Sequence, residues 1–139
     1  MFKLENSRTQ NFDIGRYKGS WGDLGNGKYN NPVLAGDFSD PDIIRVGDDY
    51  FLICSTMQLS PGLTVLHSTD LVNWRIINNA VRDLTQISPN YNWDKMNGYS
   101  RCIWAPCITY NKNNGTFYIH FGTPDDGFFM VKTRDPFGE

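Results

Sequence analysis

Short apolar runs separated by polar turns recur along most of the chain. "DIIRV", "YFLICST", "LTVLHST" and "NWRII" are rich in β-branched and aromatic residues, the side chains that suit a pleated and partly buried surface. The segments between them, "GDD", "SPG" and "TDLV", carry turn chemistry. No segment shows an apolar period of 3.6 residues, so the pattern predicts an all-β chain. Residues 1–30 are rich in Gly and Asn and read as an extended arm, and residues 31–139 read as the folded unit.

The pattern then repeats. "DPDIIRVGDDYFLICST" and "APCITYNKNNGTFYIHFGT" each hold a proline, a short strand, a polar turn, an aromatic-rich strand and a closing Thr. Pro41 and Pro106 occupy the same place, 65 residues apart, and "GLTVLHSTDLVNW" is echoed by "GFFMVKTRDPFGE". Between the copies lies a loop-like stretch from Arg82 to Arg101, long enough to be functional or disordered. A repeated four-stranded antiparallel unit is the signature of a β-propeller. The chain holds one complete blade and roughly three strands of a second, which predicts a part of a longer propeller. An open part of this kind exposes a face meant for the missing blades, so self-association of the isolated chain is expected.

Composition narrows the classes. The 139 residues are enough for one small core, and a net charge of −2 without a basic patch argues against nucleic acid as a partner. No run of about 18 apolar residues is present to span a membrane. The start "MFKLENSRTQNFDIG" has no apolar core of a signal peptide. The expected location is the cytoplasm, or the periplasm or exterior if a leader has been removed. Aromatic residues reach 14%, a share that suits a β core and also sugar-stacking sites. The odd cysteine count, Cys54, Cys102 and Cys107, argues against a disulfide framework, and Cys54 reads as a buried inert thiol.

The candidate chemistry centres on "SDPD". Asp40 immediately precedes the innermost strand of the first repeat, a place that in a propeller converges on the central channel. A carboxylate held there is a candidate general base acting on water. Trp104 stands one residue before the equivalent place in the second repeat and is a candidate sugar-stacking wall, whereas Met57 after "ST" reads as a loop anchor or gap-filler. Asp42, Asp48 and Asp49 read as solvated turn residues, Asp125 and Asp126 as a hairpin turn, and His67 and His120 as packed strand residues. Cys107 stands where the first repeat has Asp42; its thiol, mostly neutral at pH 7, is given no catalytic role.

With "NPVLAGDFSDPDIIRVGDDYFLICSTM", "SPGLTVLHSTDLVNW", "WAP" and "NGTFYIHFG", the chain over about residues 28 to 138 resembles the N-terminal part of glycoside hydrolase family 43. The resemblance implies a partial five-bladed β-propeller and an inverting hydrolase of β-xylosyl or α-L-arabinofuranosyl linkages in plant cell-wall glycans. It implies Asp40 as the general base and Trp104 and Met57 as walls of the sugar pocket; no cofactor or metal is expected of this chain, and a metal at the propeller centre of a longer form is left open. Relatives commonly carry Phe at the Met57 place, and an acidic residue or His where this chain has Cys107. The tuning Asp and the acid Glu of the family lie in later blades, and neither motif occurs here. The isolated chain is therefore expected to be inactive, and the alternative reading is a non-catalytic truncated product or weak carbohydrate-binding module.

Overall fold

The computed structural model describes residues 21–92, 94 and 99–138. Two antiparallel sheets account for nearly all regular structure. The first has four strands in chain order, β1 (Asp42–Val46), β2 (Asp49–Ile53), β3 (Gly62–Ser68) and β4 (Arg75–Val81). The second has three, β5 (Trp104–Asn111), β6 (Thr116–Thr123) and β7 (Gly127–Thr133). Each strand pairs with its sequence neighbour, which is what the alternation of apolar runs and tight turns dictates. Gly47 and Gly115 close the first hairpin of each sheet at φ +65° and +66°, a backbone region costly for residues with a Cβ.

Strand β2 is the key to the packing. Its side chains alternate between two cores, so it is buried on both sides and reads as a continuous apolar run. Phe51 and Ile53 point to the larger core, with Ile103, Ile108, Phe117 and Ile119 from across the seam. Leu52 and Cys54 point the other way, against Leu66 and Trp74 and the preceding segment's Val33, Leu34 and Phe38. The Phe51 and Phe117 rings meet edge to face at 5.1 Å, which ties the two sheets together through one aromatic pair. Full burial of each such side chain stabilises by roughly 1.5–3 kcal/mol.

The seam also carries polar stitches. Thr56 N–H donates to the Ile103 carbonyl at 3.0 Å, and Cys102 N–H donates to the Met57 carbonyl at 3.1 Å. Gly62 is buried beside them. A Cβ there would come within 2.7 Å of Ile103 Cδ1 and 2.9 Å of Leu84 Cδ2, so the close approach needs glycine.

Of the residues read as an extended arm, 1–20 lie outside the described residues. Residues 21–30 fold back on themselves, with Gly22 N–H donating to Val33 O, Asn30 N–H to Gly22 O, and an isolated bridge between Asp23 and Tyr29. The long loop after β4 contains two short 3-10 turns, Leu84–Gln86 and Pro89–Tyr91. Asp83 and Ser88 cap them by accepting from the N–H of Thr85 and Asn90, and Leu84 reaches the main core. Its far end is tied to the β6–β7 hairpin by Tyr91 Oη donating to Asp126 Oδ2 at 2.6 Å and by the Arg101–Asp125 ion pair.

Candidate functional site

Asp40 sits just ahead of β1 with φ +49°, and Ala105, one residue into β5, has φ +36°. These are the equivalent places of the two repeats, and both hold a left-handed backbone that L residues avoid. Asp tolerates it better than Ala, and both are further disfavoured because a proline follows, Pro41 and Pro106. Strain of this kind costs about 1–3 kcal/mol per residue and persists where the surroundings over-determine it.

One side chain touches both places. Ser55 lies two residues after the end of β2, and continuing the β1–β2 register beyond Asp42↔Ile53 sets it opposite Asp40. Its Oγ donates to Asp40 Oδ2 at 2.6 Å and accepts the Ala105 N–H at 2.7 Å. Ser55 is 3% exposed, whereas Asp40 is exposed to solvent. Asp40 is thus joined through Ser55 to the peptide linking Trp104 and Ala105. The other Asp40 oxygen has no donor among the described residues, which leaves it open to a water or a ligand.

Trp104 is 45% exposed rather than buried. Met57 is half-buried two residues beyond Ser55, and its backbone carbonyl joins the seam. The structure therefore brings the Asp40 carboxylate and the Trp104 backbone together, with Met57 on the strand end that carries Ser55.

Two readings of the carboxylates need correction. Asp42 is not a solvated turn residue: its Oδ2 accepts the Ile108 N–H at 2.8 Å, and its Oδ1 accepts the Ile43 N–H at 3.1 Å. It stitches β1 to β5, because the proline turn aims its side chain across the seam. Asp49 is not simply solvated either, since it pairs with His67 Nε2 at 2.7 Å. Asp48 is exposed in its turn, beside Arg45. His67 is packed between Phe51 and Phe137, whereas His120 is an exposed strand residue. Asp125 and Asp126 do form the hairpin turn but also anchor the long loop, as described above.

The thiols are poor nucleophiles. Burial, reinforced by the negative charge of Asp37, pushes Cys54 up to about 11. Desolvation and a hydrogen bond to Asp42 also push Cys107 upward. Asp37 itself accepts from Gln58 Nε2 at 2.8 Å on the same side of the strand end. Among the described residues no group of three His, Cys, Asp or Glu side chains is arranged to hold a metal ion. The two glutamates, Glu5 and Glu139, lie outside the described residues.

Ser55 and Asp42 carry contacts that local sequence reasoning assigned to neither. The signal for Ser55 was present in the register: a hairpin that pairs Asp42 with Ile53 must set position 55 across from position 40.

The profile of glycosyl hydrolases family 43 matches residues 29–139. A β-xylosidase of Formosa agariphila is 42% identical over 117 residues, 84% of this chain and 19% of that protein. A non-reducing end α-L-arabinofuranosidase of Bacteroides ovatus is 36% identical over 114 residues, 79% of this chain and 20% of that protein. Among solved structures, a family 43 enzyme retrieved from a capybara gut metagenome superposes with a TM-score of 0.62 at 39% identity, covering 76% of this chain and 19% of that one. The chain spans about a fifth of the length of the curated relatives it matches.

Proposed function

Since the chain belongs to glycosyl hydrolases family 43, we propose that it forms the first part of the catalytic unit of an inverting glycosidase that removes terminal β-xylosyl or α-L-arabinofuranosyl residues from plant cell-wall glycans. Its four- and three-stranded sheets are the first blade and most of the second in a five-bladed propeller. Asp40 is the general base, and Trp104 and Met57 are walls of the sugar pocket. The observation that carries the reading is the Asp40 carboxylate, held at one oxygen by Ser55 next to the Trp104–Ala105 peptide and open at the other.

In this mechanism the free Asp40 oxygen accepts a proton from a water. The resulting hydroxide attacks the anomeric carbon from the face opposite the leaving group. A second carboxyl group, protonated, gives its proton to the departing oxygen. Inversion needs the two carboxyl groups roughly 6.5–9.5 Å apart, so that the water fits between base and sugar. The described residues supply the base and part of the pocket, and the acid comes from residues outside them. General acid or base assistance is typically worth 10²- to 10⁴-fold per group. The 139 residues alone should therefore bind a sugar weakly and turn over no aryl glycoside.

The test is a side-by-side assay of three proteins on aryl β-xylosides and aryl α-L-arabinofuranosides: this chain, a longer active protein that carries it, and the longer protein with Asp40→Asn. The variant keeps the shape and removes the charge, so kcat should fall about 10²- to 10⁴-fold with substrate binding largely retained. Robust turnover by the 139-residue chain would refute the missing acid, and near-normal turnover by the Asp40→Asn variant would remove Asp40 from the chemistry.

A further inference from the structure

We infer that Ser55 is a positioning residue for the reaction: a two-sided clamp that fixes the Asp40 carboxylate and the entry of the Trp104 strand in one geometry. The inference rests on the reading of Asp40 as general base. A serine hydroxyl has a single proton. Because the Ala105 N–H at 2.7 Å can only donate, Ser55 Oγ accepts there and must send its own proton to Asp40 Oδ2 at 2.6 Å. The bond direction is therefore set by a backbone group, not by a rotamer free to swing. The hydroxyl is buried, so water does not compete for it. With Oδ2 occupied, the carboxylate's other oxygen is the one left to take a proton from water.

The second repeat supplies an internal control. Its positions equivalent to Asp40 and Ser55 are Ala105 and Gly122, at the same two strand ends. That sheet forms without the carboxylate or the hydroxyl, so the fold of a repeat does not require the pair. A Cβ at 122 would lie 3.3 Å from the exposed Phe128 ring, which would have to shift slightly to admit a side chain there. The two partners of Ser55, Asp40 and Ala105, are both among the residues that hold a left-handed backbone. Each end of the clamp thus carries local strain.

The experiment uses a longer active protein carrying these residues and an activated aryl glycoside, so that slow variants remain measurable. Ser55→Ala should lower kcat by about 10- to 100-fold and leave KM within about threefold, because a small misplacement of a reacting group costs on that order. Ser55→Thr keeps the hydroxyl and should recover most of the loss. If Ser55→Ala fails to fold, Ser55→Cys fills the space with a weak donor and should show the same fall in kcat. The deciding readout is the double variant: on the Asp40→Asn background, Ser55→Ala should cost less than about threefold, since the clamp then has no base to position. Equal losses on both backgrounds would mean a merely structural role and would overturn the clamp, as would unchanged kcat in folded Ser55→Ala or Ser55→Cys. An Asp40→Asn variant of near-normal activity would instead sink the base assignment itself. The clamp fails alone if Asp40→Asn is inactive while Ser55→Ala is not.

Discussion

The two sheets solve the same folding problem with different residues at one corner. Both begin an inner strand from a left-handed residue, Asp40 in the first and Ala105 in the second. Both place a threonine at or shortly after the end of the next strand, with a hydroxyl that accepts a backbone N–H from further along the chain, Leu63 for Thr56 and Asp126 for Thr123. Both leave their third strand through an Asp turn, Asp70 and Asp135, in which a Ser or Thr two residues earlier accepts the Asp N–H. These shared features are what a repeat needs to fold. The Asp40–Ser55 pair is what only the first repeat has, and in the second those places hold Ala105 and Gly122. Shared positions report on architecture, and the position where the copies part company reports on chemistry.

The largest effect should come from making the first repeat resemble the second. In an active protein carrying these residues, Asp40→Gly removes the carboxylate and suits the left-handed backbone. Turnover should fall by about 10²- to 10⁴-fold. Stability should change by no more than about 1 kcal/mol, because relief of backbone strain offsets the lost Ser55 hydrogen bond. Paired measurements of kcat and urea unfolding check this. Were Asp40 only a turn residue, turnover would survive the change and the comparison would lose its point.

Much of this architecture was legible in the chain. The apolar run of β2 announced a strand, and the echo 65 residues later announced a second sheet; that β2 is buried on both faces emerged only from the packing. Asp40 and Trp104 stood out because the repeat set them near equivalent places. What stayed hidden depends on contacts between residues distant in sequence. Asp42 looked like turn chemistry because its partner, the Ile108 N–H, is 66 residues away. Ser55 looked like a polar strand end because only the register aims it at Asp40. The long loop looked like a possible disordered segment, yet Leu84 fills the core and Tyr91 is held by Asp126, neither of which has a local signature. Desolvation, reinforced by that contact, raises the Tyr91 hydroxyl to about 12, so it stays a donor throughout the neutral range.

The Asp turns offer a finer test of what the repeats share. Asp70 Oδ1 accepts the N–H groups of Val72 and Asn73 at 2.9 and 2.7 Å, whereas Asp135 Oδ1 accepts only that of Phe137 at 3.0 Å. Partial burial works against the Asp70 charge, but the donors from Asn73, Val72 and Ser68 outweigh it and hold the carboxyl below its usual 3.8. A folded-state value below the unfolded one means a stabilising contribution that is complete above about pH 4 and is lost as pH falls through the depressed value. Asp70→Ala should cost about 1 kcal/mol at pH 7, a cap-sized effect given its exposure. The difference from the parent should shrink toward pH 3. Urea unfolding at both pH values, with Asp135→Ala as the comparison, measures it. A larger loss for Asp135→Ala would mean that the number of turn donors does not decide which of the two turns matters more.

The smallest effect concerns the other end of the strained pair. Ala105 holds φ +36° and is followed by Pro106, so both its own Cβ and the proline ring oppose the conformation it adopts. Ala105→Gly removes the Cβ penalty, about 1–2 kcal/mol, and adds about 0.5–1 kcal/mol of unfolded-chain entropy. The N–H that Ser55 accepts is retained. The balance should be a gain of roughly half a kcal/mol in unfolding free energy, at the edge of what paired urea titrations resolve. The sign matters more than the size. A stabilised Ala105→Gly variant would mean that the second repeat carries strain its own sheet does not need. That strain would then be maintained for the peptide it presents to Ser55. A destabilised variant would mean that the Cβ penalty at Ala105 is smaller than the chain entropy that glycine adds, so that no appreciable strain is held there.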